Sequence, residues 1–335
     1  MKKIIFFTLS VVFICGMFAS ITLMATCSSS EPGTRTESIR EDTSISSDTS
    51  IVFMTKDISP EGLMAVYEAL ETQPTGNVAV KLAIGEPPNS NYLRPELIKD
   101  LVQLLNGTIV ESNTLYNGRR TSGAMHMEVA REHGYTAIAP VDIQDAEGSM
   151  SLPVNGGSNI TENFVGKTFL NYDYYVVLSH FKGHAIAGFG GAIKNISIGI
   201  ASIEGKRWIH SGGVEGRTSS SPGGQNAFLE SMGEAGISVV ESLNGNILYI
   251  NVMNKLSVDC DCNGNPAAPD MHDIGILASL DPVALDQACV DLVAAAPDGN
   301  SLMTRINSRN GTLALSHAEK IGLGSRAYNL VSVDG

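Results

Sequence analysis

Short apolar runs alternate with amphipathic segments along the chain, and this order limits the folds available to it. Strands are predicted at residues 51–54, 77–84 and 108–111, and helices at 59–70, 94–105 and 122–133. Ser59 as N-cap and Pro60 as first helical residue mark the start of the first helix. Because a β-α-β-α order implies right-handed crossovers, the sequence predicts an α/β fold with a mostly parallel sheet flanked by helices.

The second half of the chain continues this pattern less regularly. Residues 134–167 are polar and Gly-rich with short strands such as 141–143, and further strands are predicted at 174–178, 246–253 and 273–278. One helix is predicted over 223–240, and another begins with Asp281 as N-cap and Pro282 and runs to about residue 295. We expect residues 51–335 to form a single α/β domain, built either as one body or as two intimately packed lobes.

The first 26 residues predict a targeting segment rather than part of the fold. Lys2 and Lys3 precede an uncharged apolar run, which is typical of a signal peptide or a membrane anchor. The residues before Cys27 resemble a lipoprotein cleavage box, but the run is also long enough to span a bilayer uncleaved. Residues 27–50 lack apolar periodicity and predict a disordered tether. We therefore expect an exported bacterial protein held at the membrane, as a lipoprotein at Cys27 or through a signal anchor.

The charge balance argues against a nucleic-acid partner. The chain has 22 Lys and Arg against 35 Asp and Glu, a net charge of −13. Such a surface repels nucleic acid, and no basic stripe in the sequence offsets it. A small molecule is the expected ligand.

Histidine and lysine residues surround a Gly-rich turn directly after the strand at 174–178. The cluster comprises His180, His184, Lys194 and His210, and the turn contains Gly188, Gly190 and Gly191. Open α/β sheets place ligands at the carboxyl ends of their strands, and glycine lets the backbone approach a ligand closely. Imidazole exchanges protons or ligates a metal, and a buried amine binds anions or acts as a base or nucleophile. The sequence predicts an active or binding site here.

This cluster does not match two familiar motifs. His180 and His184 have the spacing of a zinc protease, but Phe181 stands where such an enzyme needs Glu. The glycines match neither a dinucleotide nor a Walker fingerprint. Binding of a phosphate or carboxylate by the backbone amides of the turn is an alternative that these mismatches do not exclude.

Cys260 and Cys262 form a second candidate site, among carboxylates and with His272 close in sequence. They predict either ligands of a metal, in a set that is incomplete for structural zinc, or an acidic turn with free or oxidised thiols. Cys289 lies in an apolar helical pattern and is expected to be a packed core thiol.

Three segments, 179–195, 258–262 and 273–288, resemble the domain-of-unknown-function 362 family, and the resemblance extends over about residues 53–330. Members of that family are often called iron–sulfur centre proteins, and many carry a ferredoxin insert soon after the position of His210. Residues 211–222 of this chain contain no cysteine. A ferredoxin-type iron–sulfur cluster is therefore not expected.

A more distant resemblance is to the amino-terminal domain of nickel-dependent lactate racemase. His184, Lys194 and His210 follow one another at spacings of ten and sixteen residues, as in that family. The resemblance implies an acid/base role for His184, cofactor binding by Lys194, and metal ligation by His210. Arg94 similarly resembles its substrate-side Arg. Arginine occupies the region of the second racemase base, at Arg119 and Arg120, which makes a two-base racemisation doubtful.

Three hypotheses follow from these features. The first is an enzyme acting on a small carboxylate with a bound divalent metal, nickel or iron, or an anionic cofactor. His184 would move the proton and Arg94 would grip the carboxylate. Lys194 and the glycines would hold the cofactor or anion, and His210 would ligate the metal. The second is a metal or redox protein without catalysis, centred on Cys260, Cys262 and His272. His180 and His210 are further candidate metal ligands. The third is a ligand-binding lipoprotein that has kept the cleft and lost the chemistry.

Overall fold

A mixed sheet forms the centre of the protein in the computed structural model, which describes residues 49–335. The strands are, in chain order, β1 (Ser50–Thr55), β2 (Val78–Lys81), β3 (Thr108–Glu111), β4 (Val141–Ile143), β5 (Ser149–Pro153), β6 (Glu162–Gly166), β7 (Tyr174–His180), β8 (Lys182–His184), β9 (Gly188–Gly190), β10 (Ile247–Met253), β11 (Gly275–Ser279) and β12 (Tyr328–Ser332). The predicted targeting segment and all but the last two residues of the predicted tether lie outside the described residues. Those two are Thr49 and Ser50, and Ser50 already belongs to β1.

Eight of these strands form the main sheet, in the order β12-β1-β11-β10-β7-β2-β3-β4. Strand β11 runs antiparallel to both of its neighbours, and every other pair in this sheet is parallel. The strands β5–β6 and β8–β9 form two separate antiparallel pairs. The prediction of an α/β fold with a mostly parallel sheet is confirmed.

The helices cover both faces of the main sheet. They are α1 (Pro60–Ala69), α2 (Pro95–Leu104), α3 (Gly123–Glu132), α4 (Ala192–Lys194), α5 (Ile203–Ser211), α6 (Gly224–Ser242), α7 (Pro282–Ala295), α8 (Asn300–Ser308) and α9 (Leu313–Lys320). Short 3₁₀ turns occur at Tyr135–Ala137 and Phe169–Asn171, and a π-helical turn, Asn195–Gly199, continues α4. Among residues 49–335, no helix is long and apolar enough to cross a membrane.

The core consists of two apolar layers separated by the sheet. Strand β7 shows the division, because Val176 and Leu178 pack in the layer of α1–α3 whereas Tyr175 and Val177 pack in the layer of α5–α7. Alternate residues of a strand point to opposite faces, so a strand buried on both faces is apolar throughout. This explains why 174–178 is a continuous apolar run. Residues 49–335 belong to a single structural unit.

The helix starts follow the predicted caps. The Oγ of Ser59 accepts a hydrogen bond from the Gly62 amide at 3.1 Å. The Oδ1 of Asp281 accepts from the amides of Val283 at 2.8 Å and Ala284 at 3.0 Å, and its Oδ2 accepts from the Ser50 hydroxyl at 2.7 Å. Asp281 therefore both caps α7 and ties it to β1.

Strand β2 is shorter than the prediction of 77–84, because the chain leaves the sheet after Lys81. The amide of Ile84 donates to the Glu111 carboxylate at 3.3 Å instead of continuing a ladder. Helix α6 forms despite its internal glycines. Gly233 has a packing reason, since a Cβ there would lie 3.3 Å from the Cα of Ala318 in α9.

We predict that Asp281→Ala lowers the free energy of unfolding by about 1–2 kcal/mol, because the cap of α7 and the link to β1 are lost together. Urea unfolding followed by circular dichroism measures the change. Asp281→Asn keeps an oxygen for the cap and should lose less. Equal losses in the two variants would contradict the assignment of Asp281 as a helix cap.

Candidate functional site

A cleft of about 310 Å³ opens at the edge of the sheet where β2, β3 and β7 end. The last residues of these strands, Lys81, Glu111 and His180, line it. Carboxyl ends of parallel strands form the usual ligand site of open α/β sheets. The rest of the lining comes from the segments after these strands, from the segment after β10 and from α5. It includes Ser112, Arg120, His184, Gly190, Gly191, Lys194, Asn195, Lys206, His210, Cys260, Asp261 and Cys262.

The Gly-rich turn is positioned by a buried carboxylate on α7. Asp286 accepts hydrogen bonds from the amides of Ala192 at 2.7 Å and Ile193 at 3.0 Å, and from the side chain of Asn251 at 2.8 Å. A Cβ on Gly191 would lie 2.2 Å from the Asp286 carboxylate, so this close approach requires glycine. Burial raises the pKa of Asp286 to about 6. Asp286 therefore anchors the start of α4, which carries Lys194.

The three glycines of the turn have different surroundings. Gly190 and Gly191 line the cleft, and a Cβ on Gly190 would lie 3.3 Å from the Lys194 side chain. Gly188 does not line the cleft. Its φ is +85°, and it packs against Gly311 in the interior. Gly188 thus shapes the β8–β9 pair rather than contacting the cleft.

A buried ion network forms one wall of the cleft. Lys81 lies 3.1 Å and Arg120 lies 3.3 Å from the Glu111 carboxylate, and Arg120 also contacts Glu86 at 3.0 Å. Burial alone would raise the pKa of Glu111, but the neighbouring cations, Lys81 above all, lower it to about 2. Each carboxylate of this wall is therefore already matched by a cation.

Lys194 and Lys206 add positive charge to the cleft without forming an ion pair among residues 49–335. Neither amine lies within ion-pair distance of a carboxylate in residues 49–335, and Lys206 donates only to the carbonyl of Ala201. Lys206 is 6% exposed, and Lys194 is half-buried. Burial lowers the pKa of each amine to about 8, and the charge of Lys81 acts in the same direction. Glu111 opposes this shift at both amines, and Asp145 opposes it at Lys206. The cleft thus holds two amines whose charge is only partly stabilised.

His184 is fixed by two backbone amides. Its Nδ1 accepts from Ile186 at 3.2 Å and Ala187 at 2.9 Å. Burial, reinforced by the charge of Lys194, lowers the pKa of His184 well below its usual value. Because amides only donate, the neutral ring carries its proton on Nε2. His184 therefore presents a hydrogen-bond donor, as neutral histidines do in some enzymes that polarise a carbonyl.

His210 has the opposite tautomer. Its Nδ1 donates to the carbonyl of Lys206 at 2.6 Å, and its ring stacks on Phe228. Burial lowers the pKa of His210 to about 4, so the ring is neutral near neutral pH and Nε2 carries a lone pair. A neutral imidazole oriented by a backbone carbonyl is the arrangement typical of a metal-ligating histidine. The metal-ligand role of His210 stays a prediction.

Both ring nitrogens of His180 are already occupied. Nδ1 lies 2.7 Å from the Asp261 carboxylate, and Nε2 lies 2.8 Å from the carbonyl oxygen of Asn254. Lys182 pairs with the other oxygen of Asp261 at 2.9 Å. His180 lines the cleft, but its contacts are those of a structural hydrogen-bonding group.

Arg94 lies outside the cleft lining. Its guanidinium stacks over the ring of Tyr92 at 4.5 Å and donates to the Tyr92 hydroxyl and the Ser90 carbonyl, each at 2.8 Å. The side chain is exposed at the amino end of α2. Among the predicted site residues, Arg94 and Gly188 are the two that the structure does not bring to the cleft.

Cys260 and Cys262 are bonded to each other and line the cleft. Their sulfur atoms and a ring nitrogen of His184 lie within 4.8 Å of one another. His272, the residue that sequence proximity associated with them, is exposed and pairs with Asp298 at 2.7 Å. Cys289 is buried, as predicted, with its thiol near Asn251.

Five charged residues of the cleft were not predicted as site residues: Lys81, Glu111, Arg120, Lys206 and Asp261. Glu111 ends the predicted strand 108–111, and the rule that ligands bind at strand ends would have identified it. Lys81 ends β2, but it lies inside the longer strand predicted over 77–84. Lys206 had no comparable signal, because a lysine in an amphipathic helix is usually solvent-exposed.

The fold and the site together define an α/β protein with a cationic cleft at the carboxyl edge of its sheet. Comparison by family model gives a match over residues 78–291 to the family described as Domain of unknown function (DUF362). The chain belongs to this family, as the sequence motifs predicted. No curated protein matches it significantly.

Two similar solved structures have low identity to this chain. The lactate racemase apoprotein from Thermoanaerobacterium thermosaccharolyticum is 14% identical with a TM-score of 0.43, and the match covers 74% of this chain and 58% of that one. A structural-genomics protein from Thermotoga maritima is 11% identical with a TM-score of 0.41, covering 79% and 59%. This chain thus spans less than two thirds of the length of either structure.

We predict that Glu111→Gln lowers the free energy of unfolding by about 3–5 kcal/mol at neutral pH, because Lys81 and Arg120 lose their buried carboxylate. The loss should shrink at low pH. The folded-state pKa of Glu111, about 2, lies below the unfolded value, so its stabilisation is present above about pH 4.3 and is lost as the pH falls toward 2.

Urea unfolding at several pH values tests this prediction, with Glu147→Gln at an exposed turn as the control. A loss that is the same at every pH would show that Glu111 does not act through its charge.

Proposed function

We propose that the cleft binds a small anionic ligand, carrying a carboxylate or phosphate group, that reaches both Lys194 and Lys206. The observation that carries this proposal is the presence of these two amines in the cleft without a carboxylate partner. Buried charges are normally paired, since desolvation of an isolated ammonium is costly. An anionic group would supply the missing partner.

The charge of the lining supports an anion over a cation. Among the described residues, the cleft is lined by four cationic side chains, Lys81, Arg120, Lys194 and Lys206, and by two carboxylates, Glu111 and Asp261. Both carboxylates are held by cations or by His180. The net charge of −13 implies an acidic exterior, so the excess of cationic side chains is a property of the cleft and not of the surface as a whole.

The adjoining space supports a ligand larger than its anionic group. A second cavity of about 740 Å³ shares Leu115, Ile186 and His210 with the cleft. Phe164 and Trp208 form part of its wall, and the Trp208 indole N–H has no partner among residues 49–335. We infer a ligand whose anionic group lies in the cleft and whose less polar part lies in the second cavity. That part would carry a hydrogen-bond acceptor for the indole N–H of Trp208.

The donors of the cleft suit a reaction in which negative charge develops next to a carboxylate. The Nε2–H of His184 would donate to the oxygen that gains this charge, beside the carboxylate that Lys194 and Lys206 bind. We infer an enzyme acting on a small carboxylate as the chemistry that this site best supports. The lone pair on Nε2 of His210 would hold a divalent metal if the ligand brings one.

We predict that Lys194→Met and Lys206→Met each weaken binding of inorganic sulfate by about tenfold, because each removes one charge-assisted hydrogen bond and keeps the aliphatic volume. Isothermal titration calorimetry at constant ionic strength measures the affinities. Lys99→Met, on the exposed face of α2, is the matched control and should bind as the wild type does.

Circular dichroism of each variant separates loss of the site from loss of the fold. Unchanged sulfate binding in both folded cleft variants would overturn the proposal.

Sulfate affinity should also fall as the pH rises through about 8, because Lys194 and Lys206 lose their protons there in the free protein. Sulfate itself stays a dianion, so only the protein titrates. Binding to the protonated amines raises their pKa, and the reaction should therefore take up protons near pH 8. Titrations in buffers of different ionisation enthalpy measure this uptake. A pH-independent affinity would argue against contact with either amine.

A further inference from the structure

The bond between Cys260 and Cys262 lies where a small molecule in the cleft can reach it. Both cysteines are half-buried and line the cleft. A ring nitrogen of His184 lies within 4.8 Å of both sulfur atoms. Backbone amides donate to Nδ1 of His184, so the neutral ring carries its proton on Nε2.

This bond adds little to the stability of the fold. The two cysteines are only two positions apart, and the stabilisation from a disulfide grows with the length of chain it closes in the unfolded state. The segment is held instead through Asp261 between them. Its carboxylate contacts His180 at 2.7 Å and Lys182 at 2.9 Å, and its carbonyl accepts from the Glu86 amide at 2.8 Å.

These contacts do not involve the sulfur atoms, so they hold Cys260 and Cys262 close together after reduction. Two thiols kept adjacent re-form their bond readily. Burial leaves Cys289, in contrast, without access to a reagent. The pair therefore has the position and the support of a reversible centre rather than of a structural crosslink.

We propose that Cys260 and Cys262 form a redox-active pair that exchanges two electrons with a dithiol reductant in the cleft. A thiolate of the reductant attacks one sulfur, the S–S bond breaks, and the other sulfur leaves as a thiolate that accepts a hydrogen bond from Nε2 of His184. The second thiol of the reductant then attacks the mixed disulfide and releases the remaining cysteine.

The products are two cysteine thiols and the oxidised reductant. Two electrons and, through solvent, two protons pass from the reductant to the pair. This activity rests on the cysteines and His184 and does not depend on anion binding by Lys194 and Lys206.

The first test is a redox titration of the full-length protein in mixtures of reduced and oxidised dithiothreitol. Samples are quenched in acid, labelled with a maleimide and mapped by peptide mass spectrometry, which distinguishes these cysteines from the other three. We expect reversible labelling of both Cys260 and Cys262 in the folded protein, with Cys289 unlabelled before denaturation.

A pair that is reduced only when the protein unfolds, or that does not re-oxidise, would overturn the proposal. So would a reduced pair that retains added Zn²⁺ against EDTA, since the thiols would then be metal ligands.

The second test uses His184→Asn. Asparagine can accept the two amide hydrogen bonds in a local turn, but it places no donor where Nε2–H lies. We expect reduction by dithiothreitol to slow by about tenfold, because the variant loses one hydrogen bond to the charged leaving thiolate. His272→Asn, at an exposed histidine, should react at the wild-type rate. Equal rates in the two variants would exclude the assigned step.

Discussion

The buried contact between Glu111 and its two cations holds the cleft together. The carboxylate ends β3, Lys81 ends β2, and Arg120 comes from the segment that follows β3. Loss of any one of these groups would leave an unpaired charge, which is costly in a low-dielectric interior. Their mutual pairing fixes the ends of two neighbouring strands. Lys194 and Lys206 are then the cationic residues of the cleft lining that form no ion pair with a carboxylate.

The architecture was largely predictable from the sequence. The β-α-β-α order, the apolar run at 174–178 and the caps at Ser59 and Asp281 each have a local cause, namely periodicity, burial on two faces, and a side-chain acceptor beside a proline. The antiparallel direction of β11 was not predictable in this way. Strand direction depends on where the chain returns to the sheet, and no local pattern encodes that.

The site was predictable in part, and the division has a physical reason. His184, Lys194 and His210 line the cleft, as their position after a strand predicts. The tautomer of His184 follows from the backbone amides of Ile186 and Ala187, and that of His210 follows from the backbone carbonyl of Lys206. Only the folded chain defines these partners. Arg94 lies elsewhere because its guanidinium stacks on Tyr92, an interaction between residues two apart that the motif does not reveal.

The position of β1 has a practical consequence. It is parallel to β12 and antiparallel to β11, so it points in the same direction as β7 and β10. Its first residue, Ser50, therefore lies at the end of the sheet opposite the strand ends that line the cleft. A fluorophore or a solid support coupled at the amino end of β1 would leave the mouth of the cleft accessible, so binding could be followed on immobilised protein.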